Sequence, residues 1–240
     1  MFKATLLLTA ILLSSTNFVQ ALDLQSNFGN VEFPATGNIE AQRHFNHGIA
    51  ALHSFWYPEA LEAFKQSIIV DPNFVMGYWG LAMAYNQPLW EGQDTKAAIK
   101  ALSNIPHSAK LTHREWDYIK AVQVLYGKGE KYLRDKAYSR AMQKIYHEYP
   151  KDLEAACFYS LSLLGLSRNT KDSLRLQVEA GAIALEVFQK NPNHPCAAHY
   201  AIHAFDKPEL ARLGLISAKR YASIAPASHH AQHMPAHIFL

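Results

Sequence analysis

Apolar residues recur at intervals of three and four positions almost without interruption from Ala41 to the end of this chain. That spacing places apolar side chains along one face of an α-helix, and no stretch shows the sustained alternation of a β-strand. The connections are short and contain Pro, Gly or Asn, as antiparallel helix hairpins require. The expected helices span residues 42–55, 58–70, 75–87, 94–103, 113–126, 130–148, 152–166, 172–190, 195–205 and 208–223. The sequence therefore predicts an all-α chain of helix pairs.

Composition excludes several other classes of protein. Of the 240 residues, 49% are hydrophobic and 18% are charged, which is too apolar for a disordered chain. A formal charge of +3, from 23 basic and 20 acidic residues, is too balanced to indicate nucleic-acid binding. The 13 histidines are the one count that is out of line, so their positions become the main functional question.

The N-terminus has the build of a secretory signal peptide. Lys3 precedes a short apolar run at residues 6–13, and a polar stretch ends at Ala21. The apolar run is shorter than the roughly 20 residues that a spanning helix needs. We expect cleavage after Ala21 and an exported protein, periplasmic or secreted, with no membrane span in the mature chain. Residues 22–39 would then form an N-terminal extension before a helical domain at 40–240.

A repeat frame is visible in the helical part. In a frame of 34 residues beginning at Ala41, Gly48, Ala60, Phe64 and Pro72 occupy the eighth, twentieth, twenty-fourth and thirty-second places. Small residues at such places let two helices approach, the aromatic ring fills the gap, and Pro ends the second helix. This pattern resembles the tetratricopeptide repeat, in units that are clear at both ends of the chain and degenerate over about 94–190.

A closer resemblance rests on the segments 77–85, 197–206 and 233–239, which are similar to a group of exported, mostly bacterial tetratricopeptide proteins. The resemblance covers about residues 40–240. It implies a right-handed superhelix, an α-solenoid of antiparallel helix pairs. Because tetratricopeptide arrays are overwhelmingly binding modules, it also implies a scaffold that takes a peptide or partner protein in its concave groove. It names no reaction.

The family frame predicts which residues face that groove. In the unit after Pro72, the groove places fall on Met76, Trp79, Met83 and Asn86. A stripe of Met and aromatic residues at helical spacing is usually core. On the concave side of a solenoid such residues are only partly covered, and Trp79 would then anchor an extended peptide or an apolar ligand. Both interpretations stay open at this point.

The same frame collects histidines on the groove face of the last two units. The places fall on Cys196, His199, His203 and Asp206 in one unit, and on His230, His233 and His237 in the next. The two sets are 34 residues apart, member for member.

Paired imidazoles on neighbouring helices are typical of a metal site. Histidines at i and i+4 point from one helix face, and stacked helices lie about 8–10 Å apart. We therefore expect four imidazoles to reach one point and to bind Zn(II), Cu(II) or Fe(II), with Asp206, Cys196 or His230 close by. The four residues are His199, His203, His233 and His237.

One alternative to the metal site remains, and Pro235 complicates the geometry of the site. The histidines could instead form a surface that stacks on aromatic residues of a peptide and needs no metal. Pro235 lies between His233 and His237, and inside a helix it would remove a hydrogen bond and kink the axis. The spacing of that pair is therefore not determined by helical geometry alone.

Other features complete the prediction. Cys157 and Cys196 are either a disulfide or two small buried residues. His53 is expected near the groove side of its helix, and His194 is expected to cap the helix that Pro195 begins. The chain contains no glycine-rich phosphate loop, Gly-x-Ser-x-Gly or Cys-x-x-Cys motif. Because the resemblance to tetratricopeptide arrays implies a binding module, a scaffold is favoured over an enzyme. Because the sequence stops inside a first helix, we expect the natural protein to continue.

Overall fold

The computed structural model describes residues 27–107 and 110–240. The predicted signal peptide, residues 1–21, lies outside them. The described helices are α1 Ile39–His53, α2 Tyr57–Val70, α3 Val75–Ala84, α4 Thr95–Ser103, α5 His113–Leu125, α6 Lys131–Glu148, α7 Leu153–Ser167, α8 Ser173–Lys190, α9 Pro195–Phe205, α10 Ala211–Ile224, α11 His229–His233 and α12 Ala236–Phe239. The helical prediction is confirmed, with helix boundaries that differ by a few residues.

Local capping chemistry explains where many of these helices begin. The Asn38 side chain accepts a hydrogen bond from the Glu40 N–H, and Asp152 does the same for the first turn of α7. Thr112 and Glu115 form the reciprocal capping box that the sequence indicates at the start of α5. Pro195 opens α9, where its missing N–H leaves no helical bond unmade.

Within residues 27–107 and 110–240, two short strands are the exception to the all-α prediction. β1 (Asn86–Gln87) pairs antiparallel with β2 (Gly92–Gln93), so α3 ends at Ala84 instead of continuing to residue 87. Glu91 adopts a positive φ of 57° in the connecting turn. The turn exposes Trp90, whose side chain is 54% accessible.

Consecutive helices pack against each other from α1 to α4, and again from α5 to α10. Phe64 of α2 shows why small residues are needed: a methyl group on Gly48 would lie 2.6 Å from its ring. Gly80 of α3 approaches the same ring, so three helices meet at one aromatic side chain. Helix α1 also contacts α9, which brings residues near position 50 next to residues near position 200.

The described residues before α1, from Asn27 onward, pack against the helical core. Phe28, Val31 and Phe33 are at most 6% exposed. The Asn30 N–H donates to the Asn193 carbonyl at 2.9 Å, and the Thr36 hydroxyl donates to Glu115 at 2.8 Å. Among the described residues, no helix combines the length and the apolarity needed to span a bilayer.

A buried polar network joins α1, α7 and α9. The Glu154 carboxylate lies 2.6 Å from Nε2 of His53 and 2.8 Å from Nε2 of His194. Because an ionised carboxylate only accepts hydrogen bonds, both imidazoles donate their Nε2–H. Nδ1 of His53 is then a bare acceptor for the Tyr200 hydroxyl, at 2.8 Å. All four side chains are buried.

The environment of Glu154 keeps its carboxyl ionised. Burial by itself would raise its pKa, but the adjacent His53 and His194 rings outweigh burial and lower the pKa from 4.5 to about 2. Burial lowers the pKa of His53, more strongly than Glu154 raises it. Both directions favour an ionised Glu154 carboxylate beside a neutral His53 ring.

A disulfide reinforces the same junction. Cys157 of α7 and Cys196 of α9 are bonded, with their Cα atoms 6.0 Å apart. Both residues are fully buried. Of the two alternatives that the sequence left open, the structure has the bridge.

We predict that Glu154→Gln lowers the free energy of unfolding by about 3 kcal/mol at pH 7, because two buried imidazole N–H groups lose their charged acceptor. Urea unfolding followed by circular dichroism measures this. Glu62→Gln is the matched control, since the Glu62 side chain is 59% exposed on α2. Equal stability of the two variants would contradict the structural role of Glu154.

The native protein and Glu154→Gln should also differ in how their stability depends on pH. The folded pKa of Glu154, about 2, lies below the ordinary value of 4.5, so the unfolded chain binds the proton first. The stability due to this carboxylate is therefore complete above pH 4.5 and is lost as pH falls from there toward 2. The stability gap between the native chain and Glu154→Gln should narrow over that range and stay constant from pH 5 to 6, which thermal melts across a pH series would show.

We predict that the purified protein has no free thiol before reduction and two afterwards, as measured by thiol titration in denaturant, because its only two cysteines pair. The bridge closes a loop with a sequence separation of 39. Its replacement in the Cys157→Ala, Cys196→Ala double variant should lower stability by about 3 kcal/mol. Two thiols in the unreduced protein would show that the bridge is absent.

Candidate metal centre

Three histidines bring their Nε2 atoms together beside α9. His199 and His203 lie one turn apart on that helix, and His230 comes from α11. Nε2 of His203 is 3.0 Å from Nε2 of His199 and 3.5 Å from Nε2 of His230. Nitrogen ligands around a tetrahedral ion at 2.0–2.1 Å lie about 3.3 Å apart, so these separations fit the edges of one coordination shell. We call these three residues the inner triad.

The backbone of α1 sets the tautomer of His199. Its Nδ1 lies 2.5 Å from the His53 carbonyl oxygen, which can only accept, so Nδ1 carries the proton. That carbonyl is available because α1 ends at His53 and the last carbonyls of a helix have no partner within it. The lone pair of His199 is therefore on Nε2, directed at the other two rings. Metal-ligating imidazoles have the same kind of outer hydrogen bond.

The end of α1 is strained at Phe55. The Phe55 N–H donates to the Leu52 carbonyl and the Trp56 N–H to the Ala51 carbonyl, each at 3.0 Å, which is the Schellman pattern. Phe55 takes the position of the motif that usually holds glycine, with a φ of 55°. This conformation costs a side chain about 1 kcal/mol. These bonds do not use the His53 carbonyl, which is therefore free to accept the hydrogen bond from His199.

The Phe55 ring contacts all three members of the inner triad. Its centroid is 4.3 Å from that of His199 and 5.6 Å from those of His203 and His230. Trp90 lies at the outer side, 6.2 Å from the His230 ring. Aromatic rings therefore shelter the triad and limit the water around it. Strained backbone of this kind tends to persist at functional positions.

Burial keeps the inner triad neutral. His199 is fully buried, and burial together with the neighbouring His203 and His230 lowers its pKa. The pKa of His203 is lowered to about 3, by burial and then by His230 and His237. Burial, with His233 and His237, lowers the pKa of His230 to about 4. At neutral pH all three rings are in the form that binds metal ions.

His233 and His237 form a separate pair at the surface. Their Nε2 atoms are 3.0 Å apart, and Nδ1 of His237 lies 2.8 Å from the Asp206 carboxylate. The residue interrupting α11 and α12 is Pro235, yet the two rings remain in contact across the break. We call His233 and His237 the outer pair. Asp206 supplies the carboxylate that holds it.

The predicted four-histidine point is therefore wrong in its grouping. His199 and His203 meet His230, while His233 and His237 lie outside that group. Asp206 binds His237, and Cys196 is in the disulfide. The physical reason is that α11 ends at His233 and a new turn begins at Ala236, so His233 and His237 do not lie on one continuous helix.

A second cluster with ligand-type atoms lies deeper, and the sequence did not indicate it. His53, Glu154, Cys157 and His194 bring one such atom each to within 4.8 Å of the others. Both Glu154 oxygens accept from imidazoles, and the Cys157 sulfur is bonded to Cys196, so this group serves as the buried network. His194 is the N-cap residue of α9, as expected, but its side chain makes no capping hydrogen bond, and His53 is fully buried.

The residues predicted to face an open groove are in the core. Met76, Trp79, Met83 and Asn86 are 0–6% exposed, so the expectation of a partly covered face is wrong for them. The Trp79 ring packs against Phe33, Tyr118 and Phe158. Because Phe33 comes from the segment before α1, this chain itself covers Trp79. Met83 and Asn86 border a narrow cleft together with Pro88 and Tyr138.

Comparison with known proteins adds no family to this description: no protein-family model matches the chain, and no curated protein matches it.

Proposed function

We propose that this protein binds a divalent transition-metal ion through the Nε2 atoms of the inner triad, His199, His203 and His230. The observation that carries the proposal is the convergence of these three nitrogens at separations of 3.0 and 3.5 Å. Three imidazoles that share a pocket repel each other when they are protonated, so their clustering is unfavourable without a partner. A single metal cation that binds all three lone pairs makes the arrangement favourable.

The donor set defines the class of ion. Three neutral imidazoles suit Zn(II), Cu(II) or Fe(II), whereas Mg²⁺ and Ca²⁺ take oxygen ligands. The hydrogen bond from Nδ1 of His199 to the His53 carbonyl supplies the outer partner that orients a ligating ring. The Phe55 ring keeps the donors in a low-dielectric surrounding, which strengthens their attraction for a cation.

Three protein ligands leave one coordination position open. Closed structural zinc sites use four protein ligands, and catalytic sites use three with a water or substrate in the fourth position. His203 and His230 are half-buried, so the open position faces the accessible side. We therefore propose an ion that can bind and polarise a small ligand such as water.

An exported location is part of the proposal. Residues 1–21 have the pattern of a signal peptide, and the Cys157–Cys196 disulfide supports an oxidising compartment. The alternative function, a scaffold for a peptide or partner protein, has less support, because the four side chains predicted to bind it are buried. It stays a prediction from the helix-pair architecture.

We predict that the tag-free, metal-stripped protein binds Zn(II) or Co(II) at a tight site, and that this raises its melting temperature. At a free ion concentration of 100 times Kd, the gain in unfolding free energy is about 2.7 kcal/mol. His203→Ala should weaken the tight site by more than about 100-fold, since loss of a ligand exceeds the 10–100-fold cost of losing an outer partner.

His147→Ala is the matched control, because His147 is exposed on α6, far along the chain from the triad. Its affinity should equal that of the native protein. Elemental analysis, the Co(II) absorption spectrum and far-ultraviolet circular dichroism of each variant separate metal loss from unfolding. If a folded native protein neither retains nor takes up Zn(II), Cu(II) or Fe(II), the proposed function is wrong.

A further inference from the structure

We infer that His233 and His237 form a second, solvent-facing site for the same class of metal ion, distinct from the inner triad. This inference extends the proposed function and rests on it for the identity of the ion. Its own evidence is the geometry of the outer pair: two imidazoles with Nε2 atoms 3.0 Å apart, one of them held by a carboxylate.

Asp206 determines which nitrogen of His237 is free. Its Oδ2 lies 2.8 Å from Nδ1 of His237 and can only accept, so Nδ1 carries the proton and Nε2 has the lone pair. The carboxylate–imidazole contact is the outer partner that zinc-ligating histidines commonly have. Nε2 of His237 accepts the Nε2–H of His233 in the metal-free chain. A cation that replaces that proton receives a nitrogen lone pair from each ring.

The backbone holds the two rings in place in spite of Pro235. Met234 and Pro235 are buried and keep right-handed helical backbone angles. The His237 N–H donates to the Met234 carbonyl at 3.1 Å, which restores a turn across the break. The buried Ile238 side chain anchors the following turn. Buried residues of the same segment therefore hold the pair in place, although both rings are exposed to solvent.

Location distinguishes the two sites. His230 and His233 lie on the same short helix, with ring centroids 6.4 Å apart, so the outer pair stands at the solvent side of the inner triad. The His237 and Asp206 side chains are 34% and 40% exposed, whereas His199 is fully buried. With two imidazoles and water as ligands, the outer site should bind more weakly, by about tenfold or more, and exchange its ion faster.

The test is the stoichiometry of Zn(II) on the full chain, measured by equilibrium dialysis and by calorimetry. We expect two equivalents on the native protein, bound in two steps. His237→Ala should remove the weaker equivalent and leave the tight one, and His203→Ala should do the reverse. Asp206→Asn should weaken the outer step alone, by about tenfold. His147→Ala, an exposed single histidine, should keep both.

The outcomes separate this inference from the proposed function. One equivalent on both the native protein and His237→Ala overturns the second site and leaves the inner one. Loss of all zinc in His237→Ala shows a single shared site and also overturns it. An equivalent of zinc that persists in His203→Ala but disappears in the His203→Ala, His237→Ala double variant supports the outer site. If the folded native protein binds no zinc in either binding step, both proposals are wrong.

Discussion

The carboxylate of Glu154 accepts hydrogen bonds from two imidazoles that are distant in sequence, and the arrangement of the surrounding helices depends on this. His53 is the last residue of α1, Glu154 lies in the first turn of α7, and His194 directly precedes α9. All three side chains are buried, so an unpaired member would lose its hydration without compensation. The Cys157–Cys196 bridge joins α7 to α9 beside them. This junction keeps α1 next to α9.

His53 connects that junction to the candidate metal centre. Its ring binds Glu154 and Tyr200, and its carbonyl accepts from His199. A shift of the ring would therefore also move the end of α1 and its free carbonyl. The strained conformation of Phe55, two residues further on, leaves that carbonyl free and brings an aromatic ring against the inner triad. The buried network thus serves the proposed metal site as its support rather than as a second site.

The histidines divide into groups with different physical roles. In the buried network, imidazole N–H groups donate hydrogen bonds to a carboxylate. In the inner triad, the Nε2 atoms of three imidazoles face one another. The outer pair lies between these cases, since Asp206 holds one of its nitrogens and leaves the other free. The proposed metal ions supply the positive charge that the last two groups lack.

How far the sequence predicts this protein follows from the range of each interaction. The helices follow from a spacing of three to four residues, and their N-caps from side chains such as Asn38 and Thr112, because these contacts lie within one turn. The contact of His199 with His203 also lies within one helix. The placement of Trp79 could not be predicted in this way, because Phe33 covers it from 46 positions earlier in the chain.

By itself the sequence determined that the chain forms helices, that small residues such as Gly48 must face an aromatic partner, and that histidines gather near its end. Only the tertiary structure decided that His230, and not the pair His233 and His237, completes the inner triad. It also decided that Glu154 joins two histidines 101 and 40 positions away. The reason is that these groupings depend on how α1, α7, α9 and α11 pack together, and the packing brings together side chains that no local periodicity relates.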